Sequence, residues 1–96
     1  MRFEWDPQKE KKNSRKHGVS FLEAASIFGD DLTITAYDPD HSEKEDRYIS
    51  VGPSISNRLL MVAYAERGDR IRIISPRQLT RTERKTYEEE IKRRKR

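Results

Sequence analysis

Leu59-Leu60-Met61-Val62-Ala63-Tyr64-Ala65-Glu66-Arg67-Gly68-Asp69-Arg70-Ile71-Arg72-Ile73-Ile74 is the stretch on which the fold turns. Two runs of strand-forming residues, 59–65 and 70–74, flank a Gly-containing segment that suits a hairpin turn, so they should pair antiparallel. Within the second run, alternation sets Arg70 and Arg72 on one face and Ile71 and Ile73 on the other. One face of the last strand is therefore cationic, and Ser75, Pro76 and Arg77 extend the site at the strand's end.

Upstream of this hairpin, Leu32 to Tyr37 and Arg47 to Val51 read as two more strands, with residues 53–58 as a turn. Four consecutive strands with short connections predict an antiparallel meander. Before them, Phe3-Glu4-Trp5 alternates as a short strand, and Asp6-Pro7 places an N-cap residue ahead of proline at the first helical position. A polar helix should run from Pro7 to His17 and stop at Gly18. Ser20 and Glu23 have capping-box spacing, so a second helix is predicted over about residues 21–28, with Leu22, Ala25 and Phe28 on its apolar face beside Phe21 and Ala24. Thr80 and Glu83 repeat the box ahead of a charged helix from about residue 81. The predicted order β-α-α-β-β-β-β-α is that of an α+β domain, one largely antiparallel twisted sheet packed by helices. A single domain over 1–96 is expected, with 92–96 as a frayed basic tail.

Composition limits what such a chain can be. At 96 residues it holds one modest core, which excludes a two-domain enzyme. Without Cys there is no disulfide framework, thiolate metal site or cysteine nucleophile, as suits a reducing compartment. The N-terminus has no apolar leader, and no run approaches the roughly 20 apolar residues of a membrane span, so a soluble cytoplasmic protein without membrane contact is expected. The net charge of +4 arises entirely from residues 81–96. Polyanion binding and a solvated helix end both fit that segment.

Two segments invite chemistry. Asp38-Pro39-Asp40-His41-Ser42-Glu43-Lys44-Glu45-Asp46 clusters carboxylates around a histidine, but fails the calcium-loop template: Glu43 stands where glycine is required and Ile49 where a bidentate Glu should be. It reads as a surface loop, with His41 a lone imidazole. The second signal is the identity of the cations. Between Lys44 and Lys85 every basic residue is arginine, whose planar fork grips phosphate oxygens bidentately. The alternative is a solvated face on which these arginines pair with Glu66 and Asp69. His17, Glu83 and Tyr87 could add proton chemistry, the last two being helix-surface neighbours.

Phe3-Glu4-Trp5-Asp6-Pro7, Lys16-His17-Gly18-Val19-Ser20-Phe21, Glu23-Ala24-Ala25, Arg47 to Gly52 and Arg70-Ile71-Arg72-Ile73-Ile74-Ser75-Pro76-Arg77, with Glu83 and Tyr87, together resemble the BrnT family of type II toxins. The resemblance covers nearly the whole chain, although Pro76 stands where that family more usually has Ala. It implies a RelE-like fold, endoribonuclease activity that shuts down translation, no cofactor, and neutralisation by a BrnA-like antitoxin whose ribbon-helix-helix domain brings the complex to operator DNA. Cleaving RNA without a metal requires a base, an acid and cationic stabilisation of the transition state. On that basis Arg72 and Arg77 are assigned transition-state charge, with Arg47, Arg70, Ser75 and Lys16 binding the substrate. Glu83 or His17 is assigned the general base, and Tyr87 the leaving oxygen. A non-catalytic RNA- or ribosome-binding module is the alternative from a different class. A protein-interaction domain using Ile55, Leu59, Tyr64 or the last helix is a third.

Overall fold

In the computed structural model, which describes residues 1–94, β1 (Arg2–Glu4) leads into α1 (Pro7–His17) and α2 (Phe21–Ser26). Four strands follow, β2 (Ile34–Tyr37), β3 (Arg47–Pro53), β4 (Leu59–Arg67) and β5 (Arg70–Gln78), and then α3 (Arg81–Arg94). The sheet order is β1-β5-β4-β3-β2. β2 to β5 form the expected antiparallel meander, while β1 joins its edge parallel to β5, with Phe3 opposite Ile71. The predicted element order and class hold. Of the segment expected to fray, Lys92, Arg93 and Arg94 belong to α3, and residues 95 and 96 lie outside the described residues.

β5 continues past its expected end at Ile74 through Pro76 to Gln78. Beyond Arg72 it is an edge strand, because β1 ends at the Glu4–Arg72 pair, and an edge is where a strand tolerates proline. α1 covers that edge: Asn13 donates from Nδ2 to the Pro76 carbonyl at 2.8 Å and accepts at Oδ1 from the Ser75 hydroxyl at 2.9 Å. A β-bulge interrupts the pairing here. Tyr64 faces Ile73 and Ala63 faces Ser75, so Ile74 is the extra residue. The bulge reverses the alternation, turning Pro76 into the core and leaving Arg77 on the same face as Arg72.

The core lies between the helices and one sheet face. Val19, Phe21, Ala24 and Ile27 meet Leu60, Val62, Tyr64, Ile71 and Ile73, all buried. The expected apolar face of α2 packs on the core, Ala25 and Phe28 at its margin, with one exception. Leu22 is 73% exposed, and the stripe one position earlier, Phe21, Ala24 and Ile27, turns inward. Polar anchors set this orientation. Ser20 accepts the Glu23 amide as predicted, but the Glu23 carboxylate turns to Arg58 and to the Ser54 hydroxyl at 2.7 Å. Half of the capping box is thus given to tertiary contacts, and Arg58's hydrogen bond holds the Glu23 carboxyl below its ordinary range. Two glycines are dictated by geometry. Gly18 ends α1 in the left-handed region at φ 67°, and at Gly52 any Cβ would collide with the Thr33 side chain.

Candidate active site

The sheet face opposite the core carries three rows of side chains, set by strand register. The first is Arg47, Ala65, Arg72 and Glu4, the second Ala36, Ile49, Ala63 and Ser75, and the third Ile34, Val51, Met61 and Arg77. Asp38 extends the first row, because its amide donates to the Arg47 carbonyl at 2.8 Å and so continues the β2–β3 ladder. α3 lies over the third row, and the 38–46 loop borders the first. Between them the face is an open groove with a floor of small and apolar side chains.

Arg47 and Arg72 flank fully buried Ala65, placing their Cα atoms about 10 Å apart across two strand spacings. Both charges bear on one carboxylate, that of Glu45. Their partners are not Glu66 and Asp69, as the solvated-face alternative had it. Arg72 bonds Glu4 at 3.1 Å, Arg70 approaches Glu4 at 3.8 Å, and Arg67 bonds Glu45 at 3.0 Å. Glu45 also lies 3.7 Å from Arg47. Arg67's hydrogen bond, reinforced by Arg47 and Arg72, holds the Glu45 carboxyl below its ordinary range. The Nε of Arg47 is buried and, among the described residues, is a side-chain donor without a hydrogen-bond partner. Such a group is costly unless something completes it.

Arg77 occupies the far end of the groove. Glu83 grips it with both carboxylate oxygens while exchanging capping bonds with Thr80. The Arg77 hydrogen bond is the chief cause that lowers the Glu83 pKa to about 2, with the Thr80 backbone amide adding to it. A carboxylate held so acidic, with both oxygens engaged, is a poor base at neutral pH; the geometry makes Glu83 the residue that orients Arg77. Tyr87 is likewise spoken for: its ring is buried against the sheet, and its hydroxyl donates to the Leu32 carbonyl at 2.6 Å. That bond anchors α3 to the segment leading into β2.

Lys16, His17 and Ser75 come together in a separate cleft of about 270 Å³ between α1 and β5, with Lys9, Lys12 and Asn13. This cleft includes neither Arg72 nor Arg77, so the nine residues singled out from sequence fall into three places. Glu4, Glu45 and Arg67 escaped sequence reasoning because their pairings span 68, 22 and 22 residues respectively. His41, read as a lone imidazole, in fact bonds Asp38 through Nδ1 at 2.9 Å and lines a cavity of about 460 Å³ with Glu45, Arg47 and Arg67. The i, i+3 spacing of Asp38 and His41 in a proline-led turn was the available signal.

Comparison with known proteins fits this geometry. The structure is similar to the crystal structure of the Brucella abortus ribonuclease toxin BrnT, with a TM-score of 0.62, 20% identity, and coverage of 84% of this chain and 99% of that one. At that identity the likeness speaks for the fold. No curated protein matches the chain. A family model described as the ribonuclease toxin, BrnT, of type II toxin-antitoxin systems matches residues 5–83, from Trp5 through strands β2 to β5 and on to Glu83, leaving β1 and Tyr87 outside. With that match taking in every strand from β2 to β5 and the groove between them, the chain belongs to the BrnT family of ribonuclease toxins of type II toxin-antitoxin systems.

Proposed function

We propose that this protein is a metal-independent endoribonuclease that inhibits translation by cutting RNA in the groove described above. The supporting observation is the Arg47–Ala65–Arg72 row, with the unpartnered Nε of Arg47. A phosphodiester laid along it meets two guanidinium groups that can neutralise the extra charge of the pentacoordinate transition state. In the reaction the ribose 2′-oxygen attacks the adjacent phosphorus and the 5′-oxygen leaves. Arg72, with Arg47 beside it, stabilises the phosphoryl oxygens, Arg70 holds the flanking backbone, and Arg77, oriented by Glu83, takes the next phosphate. Lys16, His17 and Ser75 form an outer contact for the strand. Since guanidinium groups supply the charge, chelators should leave the rate unchanged.

A cognate antitoxin of BrnA type, with a ribbon-helix-helix domain, would neutralise the toxin, and operator DNA would be reached only through that complex. The compartment would be the cytoplasm; among the described residues no helix is long and apolar enough to cross a membrane. One observation favours a non-catalytic RNA-binding module instead: both oxygens of the Glu83 carboxylate are already engaged, by Arg77 and the Thr80 amide.

The deciding experiment incubates partner-free protein with a long unstructured RNA in EDTA, with and without ribosomes, beside Arg72→Ala. Cleavage by wild type alone supports the enzyme. Salt-dependent retention of intact RNA under both conditions supports the binding module.

A further inference from the structure

The assigned arginines leave the ribonuclease reading without a proton acceptor near the first row, and the 38–46 loop supplies one. Asp38 sits in that row beside Arg47, held by two bonds, its amide to the Arg47 carbonyl and the Ser42 hydroxyl to its own carbonyl at 2.6 Å, while the Arg47 amide donates to the same Ser42 hydroxyl at 3.0 Å. The single 3₁₀ turn Pro39–His41 then folds the chain back, so that His41 Nδ1 lies 2.9 Å from Asp38 Oδ2. A carboxylate only accepts, so Nδ1 carries the proton in this pair and the neutral ring presents Nε2 as a bare acceptor. The imidazole is 65% exposed, while Asp38 beneath it is 16% exposed. The ring lines the same cavity as Arg47 and Arg67. An orienting carboxylate, an outward imidazole and guanidinium groups in one cavity meet the geometric requirements for proton transfer to or from a phosphodiester substrate.

We infer that His41, oriented by Asp38, is the general base of the RNA cleavage reaction, taking the ribose 2′-hydroxyl proton while Arg47 and Arg72 hold the phosphate. This rests on the ribonuclease reading above. Nε2 accepts the 2′-hydroxyl proton as the 2′-oxygen bonds to phosphorus and the bond from phosphorus to the 5′-oxygen breaks. The leaving 5′-oxygen takes a proton from water, and His41 returns its proton to the hydroxide formed. The products are a 2′,3′-cyclic phosphate and a 5′-hydroxyl. His41 is the catalytic residue in this scheme and Asp38 a positioning residue.

The charged groups facing the imidazole around this cavity are Asp38, Asp40, Glu43, Lys44, Glu45, Arg47 and Arg67. Carboxyl, ammonium and guanidinium groups ordinarily titrate outside the neutral range, so a change of rate between about pH 5 and 8 reports an imidazole. The chain has two, and His17 is the internal control.

The test measures cleavage of one RNA from pH 5 to 8 by wild type, His41→Gln, His41→Ala, Asp38→Asn and His17→Gln, under whichever condition, free or ribosome-bound, the wild type cuts. His41→Gln should cut about 10²- to 10⁴-fold more slowly with unchanged RNA affinity and lose the fall in rate towards acid pH. Asp38→Asn should lower kcat and leave KM near wild type. His17→Gln should retain the acid limb, and added imidazole should restore part of the His41→Ala rate. A His41→Gln protein that cuts at the wild-type rate, or keeps the acid limb, overturns the assignment and leaves the ribonuclease intact. Wild type that cuts nothing under either condition overturns the ribonuclease reading, and this one with it.

Discussion

Glu83 meets the Arg77 guanidinium with both carboxylate oxygens, at 2.7 and 2.8 Å, while the same residue closes the capping box that starts α3. One side chain therefore joins the end of the sheet to the beginning of the helix and aims a cationic group along the groove. Its pKa is about 2 against an ordinary 4.5. A carboxyl whose folded pKa is depressed contributes stability above its unfolded pKa and loses it as pH falls towards the folded one. Glu83→Ala should destabilise by about 1–2 kcal/mol at pH 7, read as a shift in the urea midpoint. The difference from wild type should shrink as pH drops from 4.5 towards 2; an unchanged difference at the acid end would refute the linkage.

Arg72 should matter far more to catalysis than to stability. It is partly exposed and pairs with a partly exposed Glu4, an arrangement worth under about 1 kcal/mol. Loss of a donor aimed at transition-state charge costs about 10²- to 10³-fold in kcat. Arg72→Ala should therefore melt within a few degrees of wild type while cutting RNA at least 100-fold more slowly, by about that same estimate. A large drop in Tm with cleavage in proportion to folded protein would assign Arg72 a structural role.

The face that α2 buries can be checked by a pair of truncations. Ile27 is fully buried in the core, whereas Leu22 is 73% exposed. Ile27→Ala should cost about 2–5 kcal/mol, and Leu22→Ala should stay within about 0.5 kcal/mol of wild type. Chemical denaturation of both variants decides it, and a reversed ranking would mean that α2 is rotated by one position.

Gly52 offers a test of close packing away from the groove. An added Cβ would overlap the Thr33 side chain, which is tied in place by its 2.5 Å bond to the Ile27 carbonyl. Gly52→Ala should destabilise by about 1–3 kcal/mol through overpacking. The double variant with Thr33→Ala, compared by thermal melting, should recover part of the loss.

Much of this architecture is legible along the chain because it depends on neighbours in sequence. Asp6 and Pro7 start α1 and Gly18 stops it; Thr80 and Glu83 cap α3; the run from Leu59 to Ile74 announces a hairpin. Backbone preference, capping and alternation act over a few residues, so they can be read without knowing any tertiary contact. The family resemblance was legible for the same reason, as ordered short segments.

Only the folded chain decided which charges share a space. Strict alternation along β5 would have placed Arg77 with Ile71 and Ile73 in the core; the bulge at Ile74 returned it to the face of Arg72. Arg47 and Arg72 became neighbours because β4 places alanine between them, and Glu4 reached Arg72 because β1 added itself parallel to the sheet edge. Of the expected apolar face Leu22 alone turned outward; Ala25 and Phe28 pack at the margin of the core and Phe21, Ala24 and Ile27 fill its centre, with Glu23 held by Ser54 and Arg58, partners 31 and 35 residues away. Strand register and helix rotation are set by packing and ion pairs between segments far apart in the chain. A sequence read locally names the cationic residues, and the tertiary structure alone brings Arg47, Arg72 and Arg77 to one sheet face.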